Sequence, residues 1–355
     1  MRFPTIARAA GCTTLALAVA CNDTTAPIPK SADHAVVFDA LWREIDQRYP
    51  YFALNGVNWD SVRAVHRPRA IAAASDEALA RELDATLREL EDPHVSITPF
   101  GPGSTMRYLA DFDTTATHYS ASRALARYLP ASRASADGRI ISGWAAPAVG
   151  YIRLPSFADK GWASDVDEPV AAFASASALI IDVRGNMGGY RSSALDIAGR
   201  FADRTREFGF LRYRSGAKHT DLTAFESERF GPHGAGGFSR RVFVLADRHT
   251  LSSAENFVMA MRTLPNVTVI GDTTGGASGG PVERKLPNGW AFQYSECIEY
   301  TTAGGVVERN GIAPDLVVRG QVGDELSGRD RALEVALQIA GAPLQRAVAS
   351  PAGPQ

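Results

Sequence analysis

Lysine is the scarcest charge carrier in the chain. It occurs only at Lys30, Lys160, Lys218 and Lys285, so nearly all the cations are arginine. Lys+Arg is 37 against Asp+Glu 39, a net charge of -2. A balance so near zero excludes a general nucleic-acid binder, a polybasic membrane binder and an acidic disordered tail. Cysteine is also sparse: Cys12, Cys21 and Cys297. No two of the seven histidines stand with cysteine or carboxylates at zinc-ligand spacing, so neither a metal nor a cofactor is expected. There is no Gly-Lys-Ser/Thr phosphate loop and no G-x-G-x-x-G fingerprint. With 45% apolar residues in 355, the chain has ample material for a core and length for about two domains.

The one apolar run near the start is short. Arg2 and Arg8 precede Leu15-Ala16-Leu17-Ala18-Val19-Ala20, which leads directly into Cys21. This reads as a secretory leader, too short to span a membrane as a mature helix. Small residues before Cys21 resemble a bacterial lipobox, which implies cleavage there and acylation of the thiol. Ala18-Val19-Ala20 also fits ordinary signal cleavage. If Cys21 begins the mature chain, Cys297 is its one other cysteine and no intrachain disulfide between paired structural cysteines is expected. The resulting division is a leader at 1–21, a polar tether at 22–34, a helical module at 35–97, an α/β core at 98–340 and a tail at 341–355.

Within the module, Val37, Leu41, Ile45 and Tyr49 recur every four residues until Pro50. A second helix is expected around Trp59–Val65. A third opens at Ser75-Asp76-Glu77 and carries Leu79, Leu83, Leu87 and Leu90. Residues 98–148 show little periodicity. Further on, 139–141, 149–154, 178–183, 242–246 and 267–270 read as strands, with helices near 192–203 and 252–264. Strand, loop and helix in alternation predict a mainly parallel, covered sheet. Pro287-Asn288-Gly289 marks a hairpin, and 205–240 reads as a loop whose Arg212, Arg214, Lys218 and Arg229 could help select substrate but more simply form a solvated basic surface.

Three segments could carry chemistry. Ser252, in Thr250-x-Ser252-Ser253-x-Glu255, lies between a buried strand and a helix start, where backbone N–H groups favour developing negative charge. The same residues, Ser252 and Glu255, also spell a plain capping box. Asp182-x-Arg184-x-Asn186-x-Gly188-Gly189 follows a buried strand; its glycines permit close backbone approach or merely a tight turn. His94, in Asp92-Pro93-His94-Val95, follows a helix end, where most histidines are simple surface residues.

In their order along the chain, these segments resemble the C-terminal-processing (tail-specific) family of serine peptidases. Gly150-Tyr151-Ile152-Arg153-Leu154-Pro155-Ser156-Phe157, Gly271-Asp272-x-Thr274-Gly275-Gly276 and Gly311-Ile312-x-Pro314-Asp315 extend the resemblance. It implies an α/β core of the ClpP/crotonase-like type, a nucleophile at Ser252 and an acyl-enzyme without cofactor. The lysine that serves as base in the best-known branch is replaced by Ala277. The chain therefore resembles the tricorn-core branch, which implies His94 as base and Glu308 as its support; as a plain residue, Glu308 could equally be a surface carboxylate near a turn. The serine that precedes the histidine in tricorn is Pro93 here. An ordinary imidazole titrates at about 6.5 and can take a serine proton near neutrality. The oxyanion would lie against Ser253 and one of Gly188/Gly189. The stretch from His94 to Tyr151 is too short for a PDZ domain, and Lys285 is the one lysine after Ser252 that could offer an alternative base. The implied partner is a peptide or protein, in the cell envelope, with membrane attachment through Cys21 and no nucleic acid. A rival reading is a non-catalytic binder of apolar ligands, like the repeats of interphotoreceptor retinoid-binding protein; a third is an acyl-CoA enzyme of similar core.

Overall fold

A computed structural model describes residues 33–98, 106–107, 126–129, 131–135, 139–159, 161–234, 238–321, 323–324 and 327–341. The leader, Cys21, nearly all of the tether and nearly all of the tail lie outside the described residues. Among those described, no helix is long and apolar enough to cross a membrane.

The helical module starts at α1 (His34–Arg48), where the Asp33 carboxylate accepts the Ala35 amide at 2.9 Å. Val37, Phe38, Leu41 and Ile45 form its buried stripe. A short α2 (Phe52–Asn55) leads to α3 (Trp59–Ile71) and α4 (Asp76–Arg88). The hydroxyl of Ser75 caps α4 by accepting the Ala78 amide at 3.2 Å, as its sequence predicts. All three expected helices form, and α3 runs past Val65 to Ile71.

These helices do not close a core by themselves. Leu286, Trp290, Phe292 and Tyr294, some 200 residues downstream, share one apolar cluster with Phe38, Leu41, Trp59 and Leu83. The connection is a four-stranded antiparallel sheet in the order β11-β12-β1-β2, comprising β1 (Ser96–Thr98), β2 (Met106–Arg107), β11 (Pro281–Lys285) and β12 (Ala291–Ser295). Ser96 pairs with Gln293 and Ile97 with Phe292. The hairpin expected at Pro287-Asn288-Gly289 joins β11 to β12, with Gly289 at φ 86°.

The central sheet has seven strands in the order β14-β10-β9-β6-β5-β4-β3. Its members are β3 (Arg133–Ala134), β4 (Ile141–Ala146), β5 (Val149–Arg153), β6 (Ala178–Asp182), β9 (Arg241–Ala246), β10 (Val267–Gly271) and β14 (Leu316–Val317). Every pairing from β5 to β14 is parallel; β3, β4 and β5 pair antiparallel. Helices at Arg191–Gly199 and Ser253–Arg262 pack on one face, contributing Ala194, Ile197, Phe257 and Val258 to the largest apolar cluster. The helix at Arg331–Ile339 covers the other face with Ala332, Leu333, Ala336 and Leu337. Burial on both faces is why β6 reads as an unbroken apolar run.

One segment departs from its sequence reading. Residues 205–240 are not simply a loop: β7 (Arg206–Tyr213) and β8 (Glu226–Phe230) form a hairpin extended by β13 (Cys297–Thr301). Its arginines are engaged rather than free. Arg212 donates to the Thr223 carbonyl at 2.7 Å and lies over the Phe225 ring, and Arg229 approaches Glu207. Phe208 and Leu211 of β7 are buried, and Phe208 joins the largest apolar cluster.

Candidate active site

Ser252 sits where the β9 strand turns into the Ser253–Arg262 helix. Its backbone, at φ 54° and ψ −126°, is in a region that L residues seldom occupy. Such a conformation costs on the order of 1–3 kcal/mol and persists only where the surroundings enforce it. The Ser252 amide donates to the Ala277 carbonyl at 2.8 Å and to Glu255 Oε2 at 3.1 Å. Next to it, the Leu251 amide donates to the Asn186 carbonyl at 2.9 Å, and the Thr250 carbonyl accepts the Gly275 amide at 3.0 Å. The serine turn is therefore strapped to loops on both sides.

Glu255 holds the second strap together. It is fully buried, and its Oε1 accepts from Thr274 Oγ1 at 2.5 Å and the Gly276 amide at 2.9 Å. Its Oε2 accepts the Ala277 amide at 3.0 Å besides that of Ser252. Burial pushes this carboxyl up to about 8, against the pull of those donors. The capping-box reading of Glu255 is correct for the Ser252 amide, but it misses three further bonds that fix the 274–277 loop.

The glycine loop lies against the serine. A side chain at Gly188 would place its Cβ 2.8 Å from the Ser252 Cβ and 3.0 Å from the Ser253 amide nitrogen, so only glycine fits. Asn186 fixes this loop: its amide donates to the Leu154 carbonyl at 2.9 Å and its side-chain oxygen accepts the Gly188 amide at 2.8 Å. That bond occupies the Gly188 N–H. The amides of Ser253 and Gly189 have no acceptor among the described residues. Of the two expected glycines, Gly189 is thus the one with an N–H to offer.

Earlier in the same motif, Asp182 and Arg184 do structural work. The Arg184 guanidinium forks onto Asp182 at 2.9 and 2.6 Å and onto Asp330 at 2.8 Å twice. All three are buried, and the arginine holds Asp182 down at about 2 despite the opposing effect of burial. Asp330 caps the Arg331–Ile339 helix, so this clamp joins β6 to the far face of the sheet.

His94 arrives from the helical module. Pairing of β1 with β12 brings it to the core, where the Gln293 side chain donates to its carbonyl at 2.9 Å. It is not the surface histidine that its position after a helix suggests: its side chain is 13% exposed, and Nδ1 is buried without a partner among the described residues. Asp92 is wholly buried; its Oδ1 accepts the His94 amide at 2.8 Å and lies 3.8 Å from Nδ1.

Glu308 is also wholly buried, which rules out the surface-carboxylate reading. Its Oε2 accepts the Ser278 amide at 2.8 Å, while Oε1 has no partner among the described residues. Burial, and then the charge of Asp92, push its carboxyl well above the usual range. Segment 276–278 thus links the Ser252 turn to the Glu308 turn. Ala277 binds the Ser252 amide, Ser278 binds Glu308, and the Gly276 carbonyl accepts the Arg309 amide at 2.7 Å. Arg309 in turn reaches Glu91 Oε2 at 2.6 Å, tying the Glu308 turn to the His94 turn. The three non-glycine residues with positive φ among those described are Glu91, Ser252 and Arg309, all here. Among the described residues no hydrogen bond joins His94 to Ser252 or to Glu308. Lys285 stands exposed at the end of β11, in a groove with Arg43, Glu44 and Gln47. No described group of histidine, cysteine and carboxylates could hold a metal ion.

The model of peptidase family S41 matches residues 148–318, and that of the tricorn protease C1 domain matches residues 30–85. The carboxy-terminal processing protease CtpA of Bacillus subtilis is 25% identical over 170 residues, covering 47% of this chain and 34% of CtpA. A putative tricorn protease homolog 2 of Streptomyces coelicolor is 29% identical over 199 residues, 54% of this chain and 15% of that protein. The chain thus spans about a third or less of the length of these two relatives. A solved putative peptidase from Parabacteroides merdae is 30% identical, with a TM-score of 0.76 over 88% of this chain and 98% of its own. With that relative aligned almost end to end and the family's own model lying across the Ser252 core, the chain belongs to peptidase family S41.

Proposed function

We propose that the protein is a serine-type endopeptidase in which Ser252 is the nucleophile, His94 the general base and Glu308 the group that orients it. The carrying observation is the backbone of Ser252, held at φ 54° and ψ −126° between two strapped loops at a helix start. A strained strand-to-helix turn presents a hydroxyl for attack, the arrangement of a nucleophile elbow. In this reading His94 Nε2 takes the Ser252 proton as its oxygen attacks a peptide carbonyl. Nδ1, now on an imidazolium, is met by Glu308 Oε1. The amides of Ser253 and Gly189 receive the oxyanion. His94 then protonates the leaving amine, and water releases the acyl group by the reverse proton path. Catalytic hydrogen bonds are commonly long in the unliganded enzyme and tighten around substrate.

The leader and Cys21 support placement in the bacterial cell envelope, exported and lipid-anchored, with a peptide or protein as substrate. The carboxy-terminal processing names of the relatives support a protein-processing role, and the short span before Tyr151 argues against a PDZ-type tail reader. A fluorophosphonate probe tests the reading. It should label the wild-type chain and leave Ser252→Ala unlabelled. No labelling, together with saturable binding of an apolar ligand, would favour the vestigial-site alternative.

A further inference from the structure

Ser252 and Glu308 are joined through a single peptide unit, the one between Ala277 and Ser278. Its carbonyl accepts the Ser252 amide at 2.8 Å, and its N–H donates to Glu308 Oε2 at 2.8 Å. A trans peptide is planar, so its C=O and N–H point in opposite directions and turn together. One rigid plate therefore spans from the nucleophile turn to the buried carboxylate. A rotation that releases one of these bonds releases the other.

The plate is gripped on both sides. Just before it, the Ala277 amide donates to Glu255 Oε2 at 3.0 Å. Just after it, the Ser278 carbonyl accepts from two hydroxyls, Ser295 Oγ at 3.3 Å and the Tyr51 phenol at 3.2 Å. The Ser278 side chain neighbours that phenol as well. Glu255 and Ser295 belong to the core. Tyr51 does not: it immediately precedes α2 in the helical module, 0% exposed and edge-on to Tyr49 at 5.5 Å. Burial pushes the phenol well above its ordinary range, so it keeps its proton and donates. The chain lies flat against it. Gly279 has φ 118°, and a Cβ there would stand 2.4 Å from the phenol oxygen and 2.6 Å from the Ser295 Cβ.

We propose that Tyr51 is a positioning residue for the nucleophile. By fixing the Ser278 carbonyl it sets the plane of the 277–278 peptide, so docking of the helical module aligns the Ser252 turn and Glu308 together. The module then supplies more than His94: the contact that accompanies arrival of the base also sets the serine that the base serves. The inference rests on the Ser252 reading for its effect on rate, but the coupling of the two turns does not.

Two measurements on the full chain test this. Tyr51→Phe removes one hydroxyl and keeps the ring. Ser295→Ala removes the other donor to the same carbonyl. Tyr128→Phe is the control: it removes a buried phenol that donates to Glu334 at 2.7 Å, under the Arg331–Ile339 helix. The first measurement is amide hydrogen exchange at Ser252 and Ser278. Tyr51→Phe should speed both together by about fivefold, the equivalent of one lost hydrogen bond, and Ser295→Ala should act in the same sense. Tyr128→Phe should leave both within about twofold of wild type, whereas a general loss of stability would move all three variants alike. Unchanged exchange at either amide in Tyr51→Phe, or the same change in Tyr128→Phe, would overturn the proposal. The second is fluorophosphonate labelling against probe concentration, which separates probe binding from the covalent step. Tyr51→Phe should lower the limiting rate about fivefold and leave the half-saturating concentration within about twofold. A wild-type limiting rate, or a change confined to the half-saturating concentration, would remove Tyr51 from the positioning of Ser252. Coupled exchange at the two amides without labelling of wild type would sink the peptidase reading and leave the coupling standing.

Discussion

Glu255 shows how one side chain can set a nucleophile. Every hydrogen bond it makes is an acceptance: two on Oε1, from Thr274 and Gly276, and two on Oε2, from Ser252 and Ala277. A glutamine would have to turn an NH₂ towards one of these donor pairs. A buried donor left unsatisfied costs about 1–3 kcal/mol, so Glu255→Gln, with one donor pair unmet, should cost about 2 kcal/mol or more. Urea unfolding at neutral pH measures that loss, and labelling of Ser252 should slow with it because the strapped turn slackens. The pH dependence has a definite sign. Burial raises the folded-state carboxyl to about 8 from an ordinary value of 4.5. A raised acid binds its proton more tightly when folded, so its contribution is full below about 4.5 and is lost as pH climbs through about 8. Glu255→Gln should flatten the stability profile in that window. A variant as stable as wild type, with the profile unchanged, would show that neither these bonds nor the titration of Glu255 sets the stability of the turn.

Among the elements, the clamp at the end of β6 illustrates a motif whose conspicuous residues are not at the chemistry. Arg184 satisfies Asp182 and Asp330 with paired bonds that a lysine ammonium cannot reproduce. Breaking a buried pair of this kind costs about 3–5 kcal/mol, and Arg184→Lys should lose much of that. Its melting temperature should fall steeply, while the folded fraction still labels at Ser252. Equal loss of both would instead place Arg184 in the site. Elements with one clear period could be read without coordinates. Val37, Leu41 and Ile45 announce α1, Ser75 announces the start of α4, and the buried run 178–183 announces β6. The β7–β8 hairpin could not, because its buried Phe208 and Leu211 stand three residues apart, past a register irregularity at Glu207/Gly209, among Arg206, Arg212 and Arg214, so no period-2 pattern shows. Pairing of β1 with β12 leaves no local trace at all, since each partner's complement lies some 200 residues away. For the same reason the motifs point to Ser252, His94 and Glu308, but not to the burial of Asp92 beside them or to the loss of the Gly188 N–H to Asn186.

On the scale of the whole molecule, the candidate site is divided. His94 and Asp92 belong to the helical module, Ser252 and Glu308 to the core, and their alignment depends on how the two meet. Besides the β1–β12 pairing and single hydrogen bonds such as Gln293 to His94, charged and apolar contacts cross between them. Ion pairs join Glu44 to Arg284 and Glu91 to Arg309, and the His219 ring is hydrogen-bonded to Asp46. The apolar seam joins Phe38, Leu41 and Leu83 to Trp290, Phe292 and Tyr294. Magnitudes decide which governs. The ion pairs are partly exposed, at 42% and 60% for Arg309 and Glu91, and such pairs are worth at most about 1 kcal/mol each. Phe292 is 2% exposed, and emptying such a site costs about 3–5 kcal/mol. It also pairs with Ile97, two residues past Val95 on the strand that delivers His94. Sodium chloride at about 1 M, where the Debye length is about 3 Å, should therefore leave Ser252 labelling within about twofold of its low-salt rate. Phe292→Ala should suppress labelling sharply although Phe292 touches none of the proposed catalytic groups. The opposite result, with salt abolishing labelling and Phe292→Ala sparing it, would mean that exposed charges dock the base onto the core and that the apolar seam merely fills space.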